Sequence, residues 1–510
     1  MDISTFLNFV QTHYSTSFLV PFLFFFSVVL FLRNRSSAKL NLPPSPPRLP
    51  IIGNLHQLGT CPHHSLKALS DKYGPLMLLK LGHIQTLVVS SADIVKEILK
   101  SHDVVMCNRP TTTAAEIFLF GGRNIVHSPY GEYWRQVKKM CVVQLLSSKR
   151  VQQFQYVREE EVALMADQMH KTCLNGSSIN MSDMLMETAN NIICRCAIGQ
   201  RSQGEGGGRS YGEISRKAVV QYSEFCVGDF FPSFGWIDHL RGFIRSLKST
   251  AKELSVFTDQ VVDEHKAGKN DSMSDKKDFV DFLFQIQKDN VLDFELTRAD
   301  LKALIQDMLI GGTETTSSTS DWLMAELVRN PRVMKKAQDE VRRVVGKKGK
   351  IDMNDIDQME YLKCVIKEAL RLHPPVPLLA PRETTESIEL AGFHIPAKTR
   401  VLINAWAIQR NPSSWDMPEE FFPERFDNST VDFKGQDSQF IPFGFGRRSC
   451  PGIAFAIAGM DYTIAHLLYW FDWKLPADGG LPEDLDMSEV FGITIHKKVP
   501  LHLVATPYTP

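Results

Sequence analysis

Cysteine is scarce in this 510-residue sequence: nine residues, an odd number, with no C-x-x-C pair among them. A disulfide framework is excluded, and the bulk of the chain is placed in a reducing compartment. Net charge is nearly absent too, with 57 Lys and Arg against 58 Asp and Glu. No basic excess or stripe marks a nucleic-acid surface, so no nucleic acid is expected as a partner. Several signatures are missing. No P-loop, H-E-x-x-H or G-x-S-x-G occurs, and Gly444-Phe-Gly446 runs on to Ser449 instead of completing a G-x-G-x-x-G. The chain therefore carries no dinucleotide site of its own. What remains is ordinary globular material, 43% hydrophobic and 23% charged, which excludes disorder and collagen-like repeats. Length alone suggests about three domains at ~150 residues each, although one large single-cofactor enzyme fits the same length.

Uncharged residues fill positions 14–32, a run of nineteen, about enough to cross a hydrocarbon core of ~30 Å. Arg33, Arg35 and Lys39 follow at once, while only Asp2 precedes. The positive-inside rule puts everything after the run in the cytosol. A cleaved signal peptide would carry its charges before the apolar core and a small-residue cleavage site after it, so an uncleaved anchor is expected. Residues 42–50 hold five prolines in nine positions and read as a stiff extended spacer. No second span is read, so a single-pass protein is expected: anchor and basic stop-transfer over 1–42, hinge over 43–50, cytosolic body over 51–510.

Within the body, apolar periodicity predicts helices near 91–101, 131–147, 151–174, 297–329, 331–346 and 357–372. Short β-like pieces fall at 76–90, 388–395 and 491–504, and polar loops at 204–208 and 266–278. No internal repeat is visible.

Eight cysteines are read as buried small hydrophobes; Cys450 needs another account. Around it the chain reads Phe443-Gly-Phe-Gly-Arg-Arg-Ser-Cys-Pro-Gly452, followed by an apolar run over 453–471. Gly444, Gly446 and Gly452 let the backbone turn sharply and approach something flat. A cysteine just before a helix meets the N-terminal dipole and free N–H groups, which favour a thiolate. With Arg448 two residues earlier, the loop suits an iron ligand with an anionic periphery. A structural cysteine in a Gly-rich turn is the competing reading.

The pattern F-x-x-G-x-R-x-C-x-G, met by Phe443, Gly446, Arg448, Cys450 and Gly452, resembles the haem-binding signature of the cytochrome P-450 superfamily. Glu368-Ala-Leu-Arg371, followed by Leu-His-Pro-Pro, and Pro423-Glu-Arg-Phe426 resemble the family's Glu–Arg–Arg cluster. Gly311-Gly-Thr-Glu-Thr-Thr316 looks like its oxygen-activating motif on a long central helix. Residues 43–56 and the Leu-His-Pro-Pro-Val-Pro-Leu stretch look like the plant microsomal A-type group.

The resemblance implies a mainly α triangular prism with a small β region behind a single N-terminal transmembrane helix, held in the endoplasmic reticulum membrane. It implies heme b on Cys450 as metal ligand. Phe443, Gly444 and Gly452 would shape the loop, and Trp134, Lys138, Arg382 and Arg448 would face the haem propionates. Gly311 and Gly312 would leave room for dioxygen, Thr315 would donate a hydrogen bond where dioxygen is activated, and Glu314 would relay protons. NADPH would act only through NADPH-cytochrome P-450 reductase, docked on Arg135, Lys138, Lys139 and Arg447, with cytochrome b5 as a further partner. Membrane lipid would touch the aromatic stretch 225–243. The pocket would draw on 117–120, 304–308, 376–380 and 491–494, and the substrate would be a lipophilic plant specialised metabolite. The expected activity is a monooxygenase; the alternatives are a haem-thiolate isomerase or dehydratase, which the Glu314-Thr315 pair argues against, and a non-enzymatic haem or ligand carrier.

Overall fold

The computed structural model describes residues 21, 24, 25, 40–119, 121–202, 211–268, 276–289, 292–477 and 479–509. The expected span over 14–32 lies almost wholly outside them, as does the loop at 204–208. The helices that position the site are α1 (Pro62–Tyr73), α2 (Glu132–Met140), α3 (Gln155–Leu174), α4 (Met181–Ile198), α5 (Tyr211–Ser223), α6 (Phe243–Lys266), α7 (Phe279–Lys288), α8 (Arg298–Arg329), α9 (Pro331–Val345), α10 (Glu360–Leu372) and α11 (Ile453–Trp470). Helix α8 is the spine. It opens on a capping box in which Thr297 Oγ1 accepts from Asp300 N–H while Asp300 accepts from Thr297 N–H at 2.8 Å. It stops at Asn330, where Pro331 cannot continue it and begins α9 instead.

One core joins α3, α4, α8, α10 and α11 through residues such as Val157, Ile193, Leu323, Leu370 and Leu468. Among the described residues α11 is the one helix long and apolar enough to cross a membrane. Phe455, Met460, Ile464 and Leu468 instead bury its inner face in this core.

The largest sheet runs β1 (Leu76–Leu81), β2 (Ile84–Val89), then β3 (Arg400–Ile403) and the short Arg382–Glu383 strand at the far edge. β1 and β2 form a hairpin pairing Leu76 with Val89, and β2 pairs in parallel with β3, Leu87 opposite Val401. Leu87, Val89, Val401 and Ile403 pack together with Ile441 and Phe445. The sheet thereby seats the loop that leads to Cys450.

Several expectations change. The 91–101 helix passes into a π-turn over Ile98–His102, and the 151–174 helix breaks at Phe154. The 131–147 helix switches at Cys141 into a π-turn over Cys141–Leu145. The 491–504 segment is β only in part, at β4 (His496–Lys497) and β5 (His502–Pro507). Residues 491–495 spend their backbone groups elsewhere: Ile493 N–H donates to Ser223 Oγ at 3.0 Å, Ile495 N–H to Pro375 O at 3.0 Å, and Ile495 O accepts from Ser318 Oγ.

Candidate active site

The loop before α11 is shaped by backbone demands. Gly444 and Gly446 have φ of 73° and 61°, a region other residues rarely adopt. A Cβ at 446 would also stand 2.5 Å from Asp103 Oδ1. The loop closes with Cys450 N–H donating to Phe443 O at 2.8 Å, and Gly452 N–H points at Cys450 Sγ at 3.3 Å. Lys138 Nζ donates to Ser449 O, the carbonyl beside the cysteine. None of the nine cysteines forms a disulfide, and Cys450 alone is exposed. Burial of its surroundings raises the thiol pKa, against the opposing pull of the Gly452 N–H and the Lys138 cation. A metal cation bound at this sulfur would favour the thiolate, because a coordinating thiol is deprotonated outright.

Helix α8 is unbroken across the Gly-Gly-Thr-Glu-Thr-Thr run. Its hydroxyls bond back one turn: Thr313 to Leu309 O at 2.9 Å, Thr315 to Gly311 O at 2.7 Å, Thr319 to Thr315 O at 2.8 Å. This is how a Thr-rich run remains helical. Asp307, Ile310, Gly311, Gly312 and Glu314 to Thr316 are its less buried positions, with Gly311 the most open, while Met308, Leu309, Thr313 and Ser317 are buried. Glu314 lies 3.7 Å from His496 Nε2. The two glycines part company. A Cβ at Gly311 would meet nothing within 4 Å, whereas one at Gly312 would strike Ile193. Gly312, expected at the cofactor, is thus a packing glycine between α8 and α4. Helix α11 reaches α8 one turn on, where Gly459 faces Thr316.

Three buried guanidiniums gather nearby. Arg448 donates to Cys107 O at 2.7 Å and Ser128 O at 2.6 Å, and lies 4.1 Å over the Trp134 ring. Arg382 donates to Phe445 O at 2.7 Å and lies 3.3 Å from Asp103. Arg109, which sequence reasoning missed, donates to Val126 O at 2.8 Å and Pro381 O at 2.7 Å. Burial, then repulsion from Arg448 and Arg382, holds its pKa well below the usual value. Arg448 is lowered to about 10, chiefly by burial. Among the described residues the carboxylate paired with this group is Asp103, which Arg382 shares with Arg447 at 3.1 Å. Such a surplus of buried positive charge fits a ligand bearing carboxylates. Trp134, expected to face such carboxylates, has its one N–H committed to Ile125 O at 2.9 Å; its ring backs Arg448 instead.

Behind the loop, Glu368 accepts two bonds from Arg371, each 2.8 Å, one from Arg425 at 3.0 Å and one from Phe422 N–H at 2.8 Å. Glu368 and Arg371 are fully buried. Arg371 also donates to Gln409 O and Pro418 O, so the cluster ties α10 to the segment leading into the cysteine loop.

An exposed sulfur on a glycine-turned loop, a nearby set of buried cations and a hydroxyl-bearing helix face make a donor set suited to an iron porphyrin. The sequence model described as Cytochrome P450 matches residues 43–503. A phenylacetaldehyde oxime monooxygenase of Prunus mume is 53% identical, over 97% of this chain and 95% of that protein. Cytochrome P450 71A1 of Persea americana is 52% identical over 89% and 91%, and strychnine-11-hydroxylase of Strychnos nux-vomica 44% over 97% and 98%. A zebrafish cytochrome P450 solved with progesterone superposes with a TM-score of 0.74 at 25% identity, over 88% of this chain and 99% of that one. The chain belongs to the cytochrome P450 family. It has that family's mainly helical fold with small β regions, and it is a haem-thiolate monooxygenase. It draws electrons from NADPH through a separate reductase and acts on lipophilic molecules, in keeping with the absence of a dinucleotide motif.

Proposed function

We propose that this chain oxygenates a lipophilic plant specialised metabolite, with Cys450 as the residue that would ligate the iron of heme b. The observation that carries this reading is the sulfur of Cys450, the one exposed cysteine, set at the start of α11 with a backbone N–H at 3.3 Å. Bound there, the haem supplies binding and reductive activation of dioxygen. The protein's own residues do the rest. Arg109, Arg382 and Arg448 would hold the haem's carboxylates, and Trp134 and Lys138 would support them by bracing Arg448 and Ser449. Phe443 O, the turn at Gly444 and the Gly452 N–H fix the sulfur. Gly311 leaves the open face of α8 clear. Thr315 holds a proton at Oγ1 on that face: its bond to Gly311 O fixes the hydroxyl, and rotation redirects it as a donor. Glu314 brings protons from the His496 side.

The body meets lipid a second time. Phe225, Phe234, Trp236 and Leu240 are exposed, as is Ile51 just after the hinge. His83 N–H donates to Phe230 O at 2.8 Å and Gly82 N–H to Ile52 O at 3.2 Å, which joins these pieces into one apolar face suited to a headgroup interface. With an anchor over 1–42 and a hinge over 43–50, the body over 51–510 lies on the cytosolic side of the endoplasmic reticulum. Reductase docks over Lys138, Lys139, Arg135 and Arg447, and cytochrome b5 is a second donor.

The test is to screen lipophilic plant metabolites for spin-state shifts, then follow product with and without NADPH and reductase. Product strictly dependent on both supports the reading. Product without either means an isomerase or dehydratase, and a shift without product means a carrier.

A further inference from the structure

Metal-binding side chains converge where α1 begins, away from the cysteine loop. Cys61-Pro-His-His64 enters the helix, and Glu489 lies on the Glu489–Val490 strand, which pairs with β4. Cys61 Sγ, a His64 ring nitrogen and a Glu489 carboxylate oxygen all lie within 4.8 Å of one another. Glu489 Oε1 stands 3.0 Å from His64 Nε2 and 2.6 Å from Nε2 of His63. His63 is fully buried, and neither its two ring nitrogens nor Glu489 Oε1 has an aligned hydrogen-bond partner among the described residues. The His63–Glu489 pair is thus a charge contact at 2.6 Å without hydrogen-bond alignment. Two imidazoles and a thiol brought to one carboxylate are poorly arranged as hydrogen bonds but well arranged around a shared cation.

We infer that Cys61, His64 and Glu489 bind a zinc ion, with His63 holding the Glu489 carboxylate from the buried side. Mixed sulfur, nitrogen and oxygen donors suit zinc and do not suit calcium or magnesium, which take oxygen alone. Bonds of ~2.0–2.3 Å place tetrahedral ligand atoms roughly 3.3–3.7 Å apart, so closure from the observed spacings needs only small side-chain shifts. The His64 side chain is 47% exposed, which gives the ion an entry path and leaves its fourth position to water, as in open three-ligand zinc sites. A buried partner orienting a ligating carboxylate is the usual supporting arrangement. On binding, the Cys61 thiol proton passes to solvent. The ion would tie α1 to the strand that leads into Phe491, whose ring stacks on His63 at 5.8 Å between centroids.

The experiment uses the full-length, haem-loaded protein in nanodiscs with zinc chloride as the probe. After equilibration and desalting, zinc and iron are counted per chain by mass spectrometry, and zinc-edge X-ray absorption reads the coordination shell. The expected result is one retained zinc with a single sulfur among nitrogen and oxygen ligands. That zinc is lost in Cys61→Ser/His64→Ala, and Glu489→Gln weakens its retention by more than about tenfold. Alkylation of Cys61 by iodoacetamide is slowed by zinc in the wild type. A zinc count equal in wild type and double variant, or a shell without sulfur, overturns the inference. The absorption measurement on the wild type decides even where a variant folds poorly.

Discussion

Gly312 of α8 lies so close to Ile193 of α4 that a Cβ at 312 would stand 2.5 Å from Ile193 Cδ1 and 2.8 Å from its Cγ1. Its neighbour Gly311 faces open space. Adjacent glycines thus meet separate needs, one for helix contact and one for clearance.

Gly312→Ala should therefore destabilise by about 1–3 kcal/mol through overpacking. Ile193→Ala, which removes both Cδ1 and Cγ1, should cost less in the Gly312→Ala background than alone, because the two positions share one contact. Thermal loss of the haem Soret band measures both. Gly311→Ala should leave the melting point near wild type, and an equal loss there would remove the distinction.

Thr315→Ala should leave substrate affinity roughly constant while diverting NADPH into hydrogen peroxide. Thr315→Ser keeps the hydroxyl and should keep most of the coupling. Product formed per NADPH consumed, with peroxide measured alongside, decides. Unchanged coupling in the Ala variant would take Thr315 out of proton delivery.

Haem retention should depend on Arg109 more than on the Trp134 N–H. Arg109→Lys keeps charge but loses the fork that spans Val126 O and Pro381 O. Charge-assisted bonds of ~1.5–3 kcal/mol correspond to roughly tenfold to a hundredfold faster haem transfer to apomyoglobin. Trp134→Phe retains a ring behind Arg448 and forfeits only the bond to Ile125 O, about 1 kcal/mol. If Trp134→Phe releases haem as fast as Arg109→Lys, Trp134 touches the propionates directly.

A pH effect is expected at His265. Its Nε2 lies 2.8 Å from Asp278 and its Nδ1 2.7 Å from Val261 O, so both nitrogens face acceptors, which favours the protonated ring. Burial pushes the pKa down, but Asp278 and the Val261 carbonyl outweigh it and the net shift is upward from 6.5. A raised value in the folded state means the stabilisation is complete below about pH 6.5 and is lost as pH rises through the folded pKa. Wild type should thus unfold at lower temperature at pH 8 than at pH 6, by a margin that His265→Gln narrows. An equal margin in the variant would rule out His265 as its source.

The loop around Cys450 was readable because its signature residues answer local demands, such as the positive φ at Gly444 and Gly446. The ends of α8 were readable for the same reason, from Thr297 and Pro331. Long-range features were not. Arg109 looks like any loop arginine until the fold brings it beside Arg448 and Arg382. The Ile193 contact that requires Gly312, and the Ile125 carbonyl that takes up the Trp134 N–H, leave no mark on periodicity. Helix α4 went unread because Asn190, Asn191, Ile192 and Cys194 are indifferent helix formers, and its packing on α8 supplies the stability.

Cys450 is the centre of the account, and its most direct test is the ferrous carbon-monoxide spectrum of the haem-loaded protein and of Cys450→His. A thiolate ligand gives the wild type a strongly red-shifted Soret band. That band should vanish in the variant and give way to the shorter-wavelength band of a nitrogen-ligated haem. Survival of the red-shifted band in Cys450→His would mean that another residue ligates the iron.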